Sequence, residues 1–481
     1  MKLKDLLTDI ETLGIFANLD AELTDICYDS RKVTKGGAFV AIKGFESDGH
    51  KYIEQAVNAG VELVVCEQAP DIKVPYVLVE NSRLTLALMS KNFFGNPAGE
   101  MKLIGLTGTN GKTTSTMLIK HMLEECTGEK TALIGTNQNM IGEKVLETER
   151  TTPESYELQK LLRQMADESC KFVVMEVSSH SLALDRVAGL HFEAAVFTNL
   201  TQDHLDFHET MEEYAGAKAL LFERCEKAAI NIDDEWGGYM CERARCPVLT
   251  YSEEKLEADL VAKDIRLSPS DVKFLALAEG SLERVALDIP GRFSVYNAMS
   301  VISAGLLLEI PLLEICASLK TAKGVKGRVE VVPTPEDFTI LIDYAHTPDA
   351  LENVIKSMKE VSEGRVVALF GCGGDRDKTK RPAMGSIAVS EADFAIITSD
   401  NPRTEDPMAI IDDILSGVKG PKSRYKVIPD RTAAIAFAID NHQSGDIIIL
   451  AGKGHETYQI IGKEKHHMDE REIVAEHLAK K

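Results

Sequence analysis

The sequence predicts an α/β protein of three domains. Its 481 residues are about three times the length of a typical domain, and apolar strand-like runs alternate with helical runs along most of the chain. Two stretches rich in small or turn-forming residues, 95–100 and 321–328, separate the patterned regions. We therefore expect domains over residues 1–98, 99–322 and 323–481.

Each of the three segments has its own strand pattern. The first alternates the runs AFVAI, VELVVCE and PYVLV with helical stretches, which is typical of a small α/β unit. In the second, KLIGLT, KFVVMEV, FEAAVFT and KAAIN are continuously apolar, which favours a buried parallel sheet, whereas 258–290 alternates in short polar and apolar steps and favours antiparallel strands. The third repeats the buried pattern in FTILID, RVVALF, FAIITS and DIIILA, so we expect a Rossmann-like C-terminal domain.

Composition and charge exclude several classes of protein. Lys and Arg number 54 against 76 Asp and Glu, a net charge of -22, which disfavours binding to nucleic acid or to an anionic membrane. The N-terminus lacks the pattern of a secretory signal, and no run approaches the roughly 18 apolar residues of a membrane span. The nine scattered cysteines indicate reduced thiols. We expect a cytoplasmic monomer.

A phosphate-binding loop is predicted at residues 106–114, LTGTNGKTT, between a strand and a helix. Backbone N–H groups at a helix N-terminus bind phosphate, Lys112 adds a positive charge, and the Thr113 hydroxyl suits Mg²⁺. The pattern departs from the usual one, because Leu106 stands where the first glycine is expected and Gly108 takes its place. A plain glycine turn is the alternative, and a P-loop alone does not separate a motor, a switch, a kinase and a ligase. The predicted ATP contacts in this loop are Gly108, Thr109, Asn110, Gly111, Lys112, Thr113 and Thr114.

Three further residues are candidates for the metal site. Glu176 ends an apolar strand, where a buried carboxylate is costly unless it meets a cation, and Mg²⁺ is the natural partner. His204 follows the next strand and Lys218 lies in a helical run. Taken alone, His204 is by default a capping or surface histidine, and Lys218 is by default a solvated lysine.

The motif TGTNGKT resembles that of the Mur ligase family and the related folylpolyglutamate synthetases, and the resemblance extends over essentially the whole chain. It implies an enzyme that activates a carboxylate with ATP and then forms an amide bond. It also implies that Thr113, Glu176 and His204 hold Mg²⁺ and that Lys218 is carbamylated, its new carboxylate facing the metal. Lys112, His204 and Lys218 are then the expected catalytic residues.

Within that family, the chain is most similar to members that add the third peptide residue in peptidoglycan precursor synthesis. This implies UDP-N-acetylmuramoyl-L-alanyl-D-glutamate as a substrate, with hydroxyl donors and an arginine to meet its diphosphate and carboxylates. The matching substrate positions are Ser30, Thr151, Thr152, Ser178 and Arg186. The matching nucleotide positions are Asn297, Arg328 and Asp343.

The third segment resembles the part of the family that selects the amino acid. Its candidate residues are Arg376, Asp400, Asn401, Pro402, Arg403, Gly452 and Glu456. Two arginines suit the distal carboxylate of meso-diaminopimelate, and acidic side chains suit its distal ammonium. L-Lysine as the added amino acid, folylpolyglutamate synthetase activity, a P-loop switch or motor, and a non-catalytic nucleotide-binding scaffold remain the alternatives.

Overall fold

The computed structural model describes residues 1–44, 47–335 and 337–480. The chain forms two compact units: Met1–Thr250 with Ser303–Ile310, and Tyr251–Ile302 with the residues from Pro311 onward. Both units are mixed α/β, which confirms the predicted fold class. The domain borders drawn from the sequence stay predictions.

The N-terminal part of the first unit is built on a five-stranded sheet of order β1-β5-β4-β3-β2. All its strand pairs are parallel except β1 with β5. The strands are β1 (Gly14–Phe16), β2 (Ile26–Cys27), β3 (Ala38–Val40), β4 (Leu63–Cys66) and β5 (Tyr76–Leu78). The helices are α1 (Leu3–Leu6), α2 (Ile53–Asn58) and α3 (Ser82–Phe93), with 3-10 turns at Ser30–Lys32, Gly49–Tyr52 and Pro97–Glu100.

The P-loop candidate lies on the larger sheet of the first unit, whose strands run in the order β12-β11-β6-β10-β7-β8-β9. The four strands predicted from the sequence, β12, β11, β6 and β10, are parallel as expected, and β7 adds a fifth parallel strand that was not predicted. β8 and β9 extend the sheet in antiparallel fashion. The strands are β6 (Lys102–Thr107), β7 (Thr131–Ile134), β8 (Asn139–Ile141), β9 (Lys144–Leu146), β10 (Phe172–Glu176), β11 (Phe192–Phe197) and β12 (Cys225–Asn231). The helices are α4 (Lys112–Thr127), α5 (Ser155–Asp167), α6 (Ser179–Ala183), α7 (Leu205–His208), α8 (Met211–Ala219) and α9 (Gly237–Arg243), with a 3-10 turn at Leu220–Glu223.

The antiparallel strands predicted for 258–290 are confirmed. β14 pairs antiparallel with β15, and β15 with β16, while Tyr251 and Ser252 of β13 pair in parallel with β14. These strands are β13 (Val248–Ser252), β14 (Leu260–Leu267), β15 (Val272–Ala278) and β16 (Ser281–Leu287), and they are followed by α10 (Phe293–Leu307) and α11 (Leu312–Thr321).

The C-terminal sheet has six strands in the order β17-β18-β22-β19-β20-β21, and only the edge strand β17 is antiparallel. Separate apolar clusters cover its two faces, which explains the continuous burial of β19 and β22. The strands are β17 (Glu330–Val332), β18 (Thr339–Asp343), β19 (Val366–Phe370), β20 (Phe394–Ile397), β21 (Tyr425–Val427) and β22 (Ile447–Ala451), and a hairpin of β23 (Tyr458–Ile461) and β24 (Glu464–His467) follows. The helices are α12 (Pro348–Lys359), α13 (Lys380–Glu391), α14 (Pro407–Leu415), α15 (Arg431–Asp440) and α16 (Glu470–Leu478), with a 3-10 turn at Lys422–Arg424.

Among the helices in the described ranges, none has the length and apolar composition required to cross a membrane.

Candidate active site

The loop between β6 and α4 has the geometry of a phosphate-binding loop. Gly111, at the N-cap of α4, has φ +86°, a left-handed backbone conformation that favours glycine. A Cβ on Gly108 would lie 2.0 Å from the Thr198 hydroxyl, so this position has no room for a side chain. Packing against Thr198 therefore explains why this loop has its glycine at position 108.

Residues that follow β11 hold the loop in place. The Thr198 hydroxyl donates to the Asn110 carbonyl over 2.7 Å, and the Asn110 N–H donates to the Asn199 side-chain oxygen over 2.8 Å. The Thr109 N–H also donates to the Asn199 carbonyl. Thr113 and Thr114 are buried in the first turn of α4, beside the loop.

Two predicted catalytic lysines meet at this loop. The Lys112 ammonium donates to the carbonyls of Gly108 and Thr109, over 2.8 and 2.9 Å. Lys218 is buried on α8, and its Nζ donates to the same Gly108 carbonyl over 2.9 Å. Burial, reinforced by the positive charge of Lys112, lowers the pKa of Lys218 well below its usual value.

Tyr214, which sequence reasoning did not select, joins several predicted residues. Its ring lies 4.5 Å from Lys218 Nζ, and its hydroxyl is 3.2 Å from the Thr109 hydroxyl. Its ring centroid lies 6.1 Å from that of His204. Its position four residues before Lys218 on the same helix is the one signal in the sequence that could have found it.

The two predicted metal ligands Glu176 and His204 differ in their surroundings. Glu176 is buried at the end of β10, and both its oxygens accept bonds from Thr136, from the N–H over 2.8 Å and from the hydroxyl over 2.9 Å. His204 is half exposed, has φ +53° and has Nε2 at 3.4 Å from the Asp203 carboxylate. Over the residues that the structure describes, no three side chains of His, Cys, Asp or Glu gather as a metal cluster. Only two of the predicted ligands, Glu176 and His204, are of these residue types. The full predicted set, which adds Thr113 and Lys218, stays a prediction.

The predicted dipeptide contacts form one connected group beside Glu176. The Thr136 hydroxyl, which donates to Glu176, lies 3.0 Å from the Thr151 hydroxyl. The Thr152 hydroxyl donates to the Glu176 carbonyl over 2.8 Å and accepts from the Ser178 N–H over 3.1 Å. Three of the predicted substrate residues are thus placed around one predicted metal ligand.

Arg186 belongs to a group of three arginines around one carboxylate. Oxygen Oε2 of the buried Glu154 lies 3.2 Å from Arg186, 3.6 Å from Arg83 and 3.8 Å from Arg150. Burial lowers the pKa of Arg186, and the two neighbouring arginines add to that effect while Glu154 opposes it. One carboxylate facing three guanidinium groups leaves an excess of positive charge, which suits an anionic substrate. Sequence reasoning found only Arg186.

Ser30 lies in a 3-10 turn of the N-terminal sheet domain, and its hydroxyl donates to Gln55 over 3.2 Å. Two tyrosine hydrogen bonds join this region to α5. The Tyr28 hydroxyl donates to Glu157 over 2.9 Å, and the Tyr156 hydroxyl donates to Asp25 over 2.6 Å.

In the second unit, two of the three predicted nucleotide contacts interact with each other. Asp343 ends β18 and accepts from the N–H groups of Val329 and Ala345, both over 2.8 Å. Burial raises the pKa of Asp343, while the charge of Arg328 opposes the rise. The Arg328 guanidinium lies over the ring of Tyr344, and Asn297 is buried on α10.

The residues predicted to select the amino acid lie on three loops that follow β19, β20 and β22. Arg403 has φ +51° and donates to the Gly374 carbonyl over 2.8 Å. A Cβ on Gly373 would lie 2.9 Å from Arg403 Nη1 and 3.8 Å from Arg376 Cγ, so both arginines flank this glycine. A strained non-glycine residue in a loop that follows a parallel strand is typical of a binding site.

The acidic part of this set is equally compact. Asp400 and Asn401 are buried, and the Asn401 side-chain amide donates to Glu456 over 2.8 Å. Gly452 has φ +110°, and a Cβ there would lie 2.7 Å from an Asp400 carboxylate oxygen. Pro402 continues the same loop and accepts from the Glu405 N–H over 3.1 Å. The structure therefore brings the predicted cationic and anionic residues of the third segment to the same edge of one sheet.

Models of three protein domains match the chain. They are the Mur ligase middle domain over residues 106–305, the glutamate ligase domain of Mur ligases over 327–454, and the catalytic domain of the Mur ligase family over 22–94.

Several named proteins are similar to the chain over its full length. A UDP-N-acetylmuramoyl-L-alanyl-D-glutamate--2,6-diaminopimelate ligase of Caldanaerobacter subterraneus subsp. tengcongensis is 50% identical, over 100% of this chain and 99% of the relative. A protein of the same name from Clostridioides difficile is 44% identical, over 100% of both chains. A solved structure of a ligase with that name covers 100% of this chain and 99% of its own, with a TM-score of 0.74 at 32% identity.

More distant structures share the fold alone. The folylpolyglutamate synthase of Mycobacterium tuberculosis, solved with ADP and AMPPCP, covers 77% of this chain and 92% of its own, with a TM-score of 0.62 at 17% identity.

Proposed function

The chain belongs to the Mur ligase family, and on that premise we propose that it is the ATP-dependent ligase that adds meso-diaminopimelate to the D-glutamate of UDP-N-acetylmuramoyl-L-alanyl-D-glutamate. The observation that carries the proposal is identity of 50% over the whole chain to a ligase named for that reaction. Residues of both units support it, because Lys112 in the phosphate loop, Arg186 beside Glu154 and Glu456 beside Asn401 carry charges that suit the phosphates, the anionic dipeptide and the distal ammonium.

ATP binds at the loop between β6 and α4 in this proposal. The N–H groups at the start of α4 and the Lys112 ammonium meet the phosphates. Thr113, Glu176, His204 and the modified Lys218 would hold Mg²⁺, which when bound offsets the negative charge of the phosphates. The donor set fits such an ion, because Glu176 is a buried carboxylate and Thr113 offers a hydroxyl in the first turn of the helix after the loop.

Lys218 is proposed to carry a carbamate. Burial and the positive charge of Lys112 lower the pKa of its amine, which favours the neutral form that adds carbon dioxide and then loses a proton. The product is an anion, which relieves the repulsion between the two lysines and supplies a carboxylate beside the loop.

The reaction then follows in two steps. The side-chain carboxylate of D-glutamate attacks the γ-phosphorus of ATP, and ADP leaves, which gives an acyl phosphate. The uncharged amine of the incoming amino acid attacks the acyl carbon, a proton is lost, and the tetrahedral intermediate expels phosphate and forms the amide. Lys112 and the loop N–H groups stabilise the charge that develops during phosphoryl transfer.

The amino acid is selected by the third segment in this proposal. Arg376 and Arg403 bind the distal carboxylate, and Asp400 with Glu456 meets the distal ammonium. L-Lysine lacks the distal carboxylate and would leave two guanidinium groups without an anion. L-Lysine therefore remains the second candidate substrate, and the arginine pair disfavours it.

Isotope transfer tests the acyl phosphate. The nucleotide dipeptide is prepared with ¹⁸O in the side-chain carboxylate of D-glutamate and turned over with ATP and meso-diaminopimelate. We expect one ¹⁸O atom in each phosphate released, because the bridging oxygen of the acyl phosphate leaves with phosphorus. Phosphate without the label would contradict the mechanism, and the absence of a tripeptide product would contradict the function.

A further inference from the structure

Lys453 lies in the loop after β22, between two glycines, and is completely buried. Its Nζ donates to Asn401 Oδ1 over 3.0 Å and to Glu456 Oε2 over 3.0 Å, and lies 3.4 Å from Asp400 Oδ1. All three acceptors belong to the residues assigned above to amino-acid selection. A buried ammonium is costly unless its donors are satisfied, so this lysine and its partners define one another's positions.

The charges of this group do not cancel. The Lys453 ammonium faces the carboxylates of Asp400 and Glu456, which leaves one negative charge in excess. The next buried carboxylate, Glu470, already has its own cation, Arg431, at 2.8 Å. An excess negative charge beside buried groups suits a ligand ammonium.

The hydrogen bonds also fix which oxygen of Glu456 faces the ligand. Asn401 Oδ1 accepts from Lys453 and from the Ile460 N–H over 2.9 Å, which orients the Asn401 amide. Its Nδ2 then donates to Glu456 Oε2 over 2.8 Å. Among the described residues, Asn401 and Lys453 thus both donate to Oε2 of Glu456. Oε1 is the oxygen left to accept from a ligand.

We propose that Lys453 is a positioning residue for amino-acid recognition: it neutralises one of two carboxylates and aligns Asn401 and Glu456 so that Glu456 Oε1 accepts the distal ammonium of the substrate. This inference rests on the proposed function. It adds a residue and a specific acceptor atom to the amino-acid site.

The test is Lys453→Met, which keeps an unbranched side chain only one heavy atom shorter and removes its charge and donors. Loss of charge-assisted hydrogen bonds is expected to raise the KM for meso-diaminopimelate by about tenfold or more, with kcat within about threefold. The KM values for ATP and for the nucleotide dipeptide stay unchanged. A purely structural role would instead leave the KM for diaminopimelate unchanged or affect all three substrates equally, and either result would overturn the proposal.

The matched control is Lys120→Met, because Lys120 is also buried and also paired with a glutamate, at 2.8 and 2.7 Å from the two oxygens of Glu124. We expect this variant to retain the wild-type KM for diaminopimelate. Thermal unfolding of each variant separates loss of fold from loss of binding.

If Lys453→Met does not fold, Glu456→Gln tests the inference with Lys453 in place. Its KM for diaminopimelate must rise by about tenfold or more, and an unchanged value overturns the assignment of Glu456 Oε1. If both single variants fold, the double variant must raise the KM for diaminopimelate little more than the more impaired single variant does, because both substitutions act on the same contact. Wild-type enzyme that forms no tripeptide would contradict the proposed function itself, a result distinct from these.

Discussion

Lys112 and Lys218 donate to one and the same acceptor, the carbonyl oxygen of Gly108, over 2.8 and 2.9 Å. Burial, reinforced by the nearby positive charge of Lys112, lowers the pKa of Lys218. We therefore propose different roles for the two lysines: Lys112 meets the phosphates, and Lys218 is the amine that is modified.

Lys218 is predicted to form a carbamate. Protein equilibrated with ¹³C-bicarbonate should give a carbamate carbonyl resonance in its ¹³C NMR spectrum, and Lys218→Ala should abolish that resonance. We expect the same variant to lose about 100-fold or more in kcat, because a charged group beside the reacting phosphates is removed. A wild-type spectrum without the resonance would contradict the carbamate.

Gly108→Ala is predicted to disable the phosphate loop. The added Cβ would lie 2.0 Å from the Thr198 hydroxyl, so the loop must move away from the residues that hold it. We expect the affinity for ATP, measured by calorimetry, to fall by about tenfold or more. Gly238→Ala is the control, because a Cβ there meets nothing within 4 Å, and it should bind ATP as the wild type does.

Arg403→Ala is predicted to impair the use of meso-diaminopimelate and to preserve ATP binding. Removal of a guanidinium from a carboxylate contact should raise the KM for diaminopimelate by about tenfold or more. The exposed Arg266 on β14 provides a control substitution to alanine that should leave all kinetic constants unchanged. Unaltered amino-acid kinetics in Arg403→Ala would remove this residue from the site.

Low pH is predicted to reduce the stability of the protein, because Glu405, in the loop that carries Arg403, loses its ion pair when it is protonated. Hydrogen bonds from the buried Arg381 lower the pKa of Glu405 to about 2 in the folded protein. The resulting stabilisation is complete above the unfolded value of about 4.5 and is lost as the pH falls toward about 2. The free energy of unfolding in urea should therefore differ between wild type and Glu405→Gln at pH 7, and the difference should shrink below about pH 4.5. A difference independent of pH would contradict the ion pair.

The fold and the placement of many candidate site residues were predictable because their signals are local. Buried strands such as β19 and β22 are continuous apolar runs, and the phosphate loop is a short motif between a strand and a helix. The predicted residues Asp400 and Glu456 likewise follow strands of a parallel sheet, where ligands bind.

The unpredicted features depend on contacts between distant parts of the chain. The need for glycine at 108 comes from Thr198, and the buried partners of Lys453 lie about 50 residues earlier, at 400 and 401. A lysine in a glycine-rich loop gives no sign of its burial in the sequence alone. The grouping of three arginines around Glu154 depends on the same kind of long-range packing, since Arg83 comes from the N-terminal sheet domain.

The central claim, a ligase specific for diaminopimelate, is tested most directly by phosphate release from ATP and Mg²⁺ with the nucleotide dipeptide. Three reactions are compared: with meso-diaminopimelate, with L-lysine and with no amino acid. We predict stoichiometric phosphate and tripeptide with diaminopimelate only. A preference for L-lysine would contradict the assignment of Arg376 and Arg403, and phosphate release that is indifferent to the amino acid would contradict the ligase.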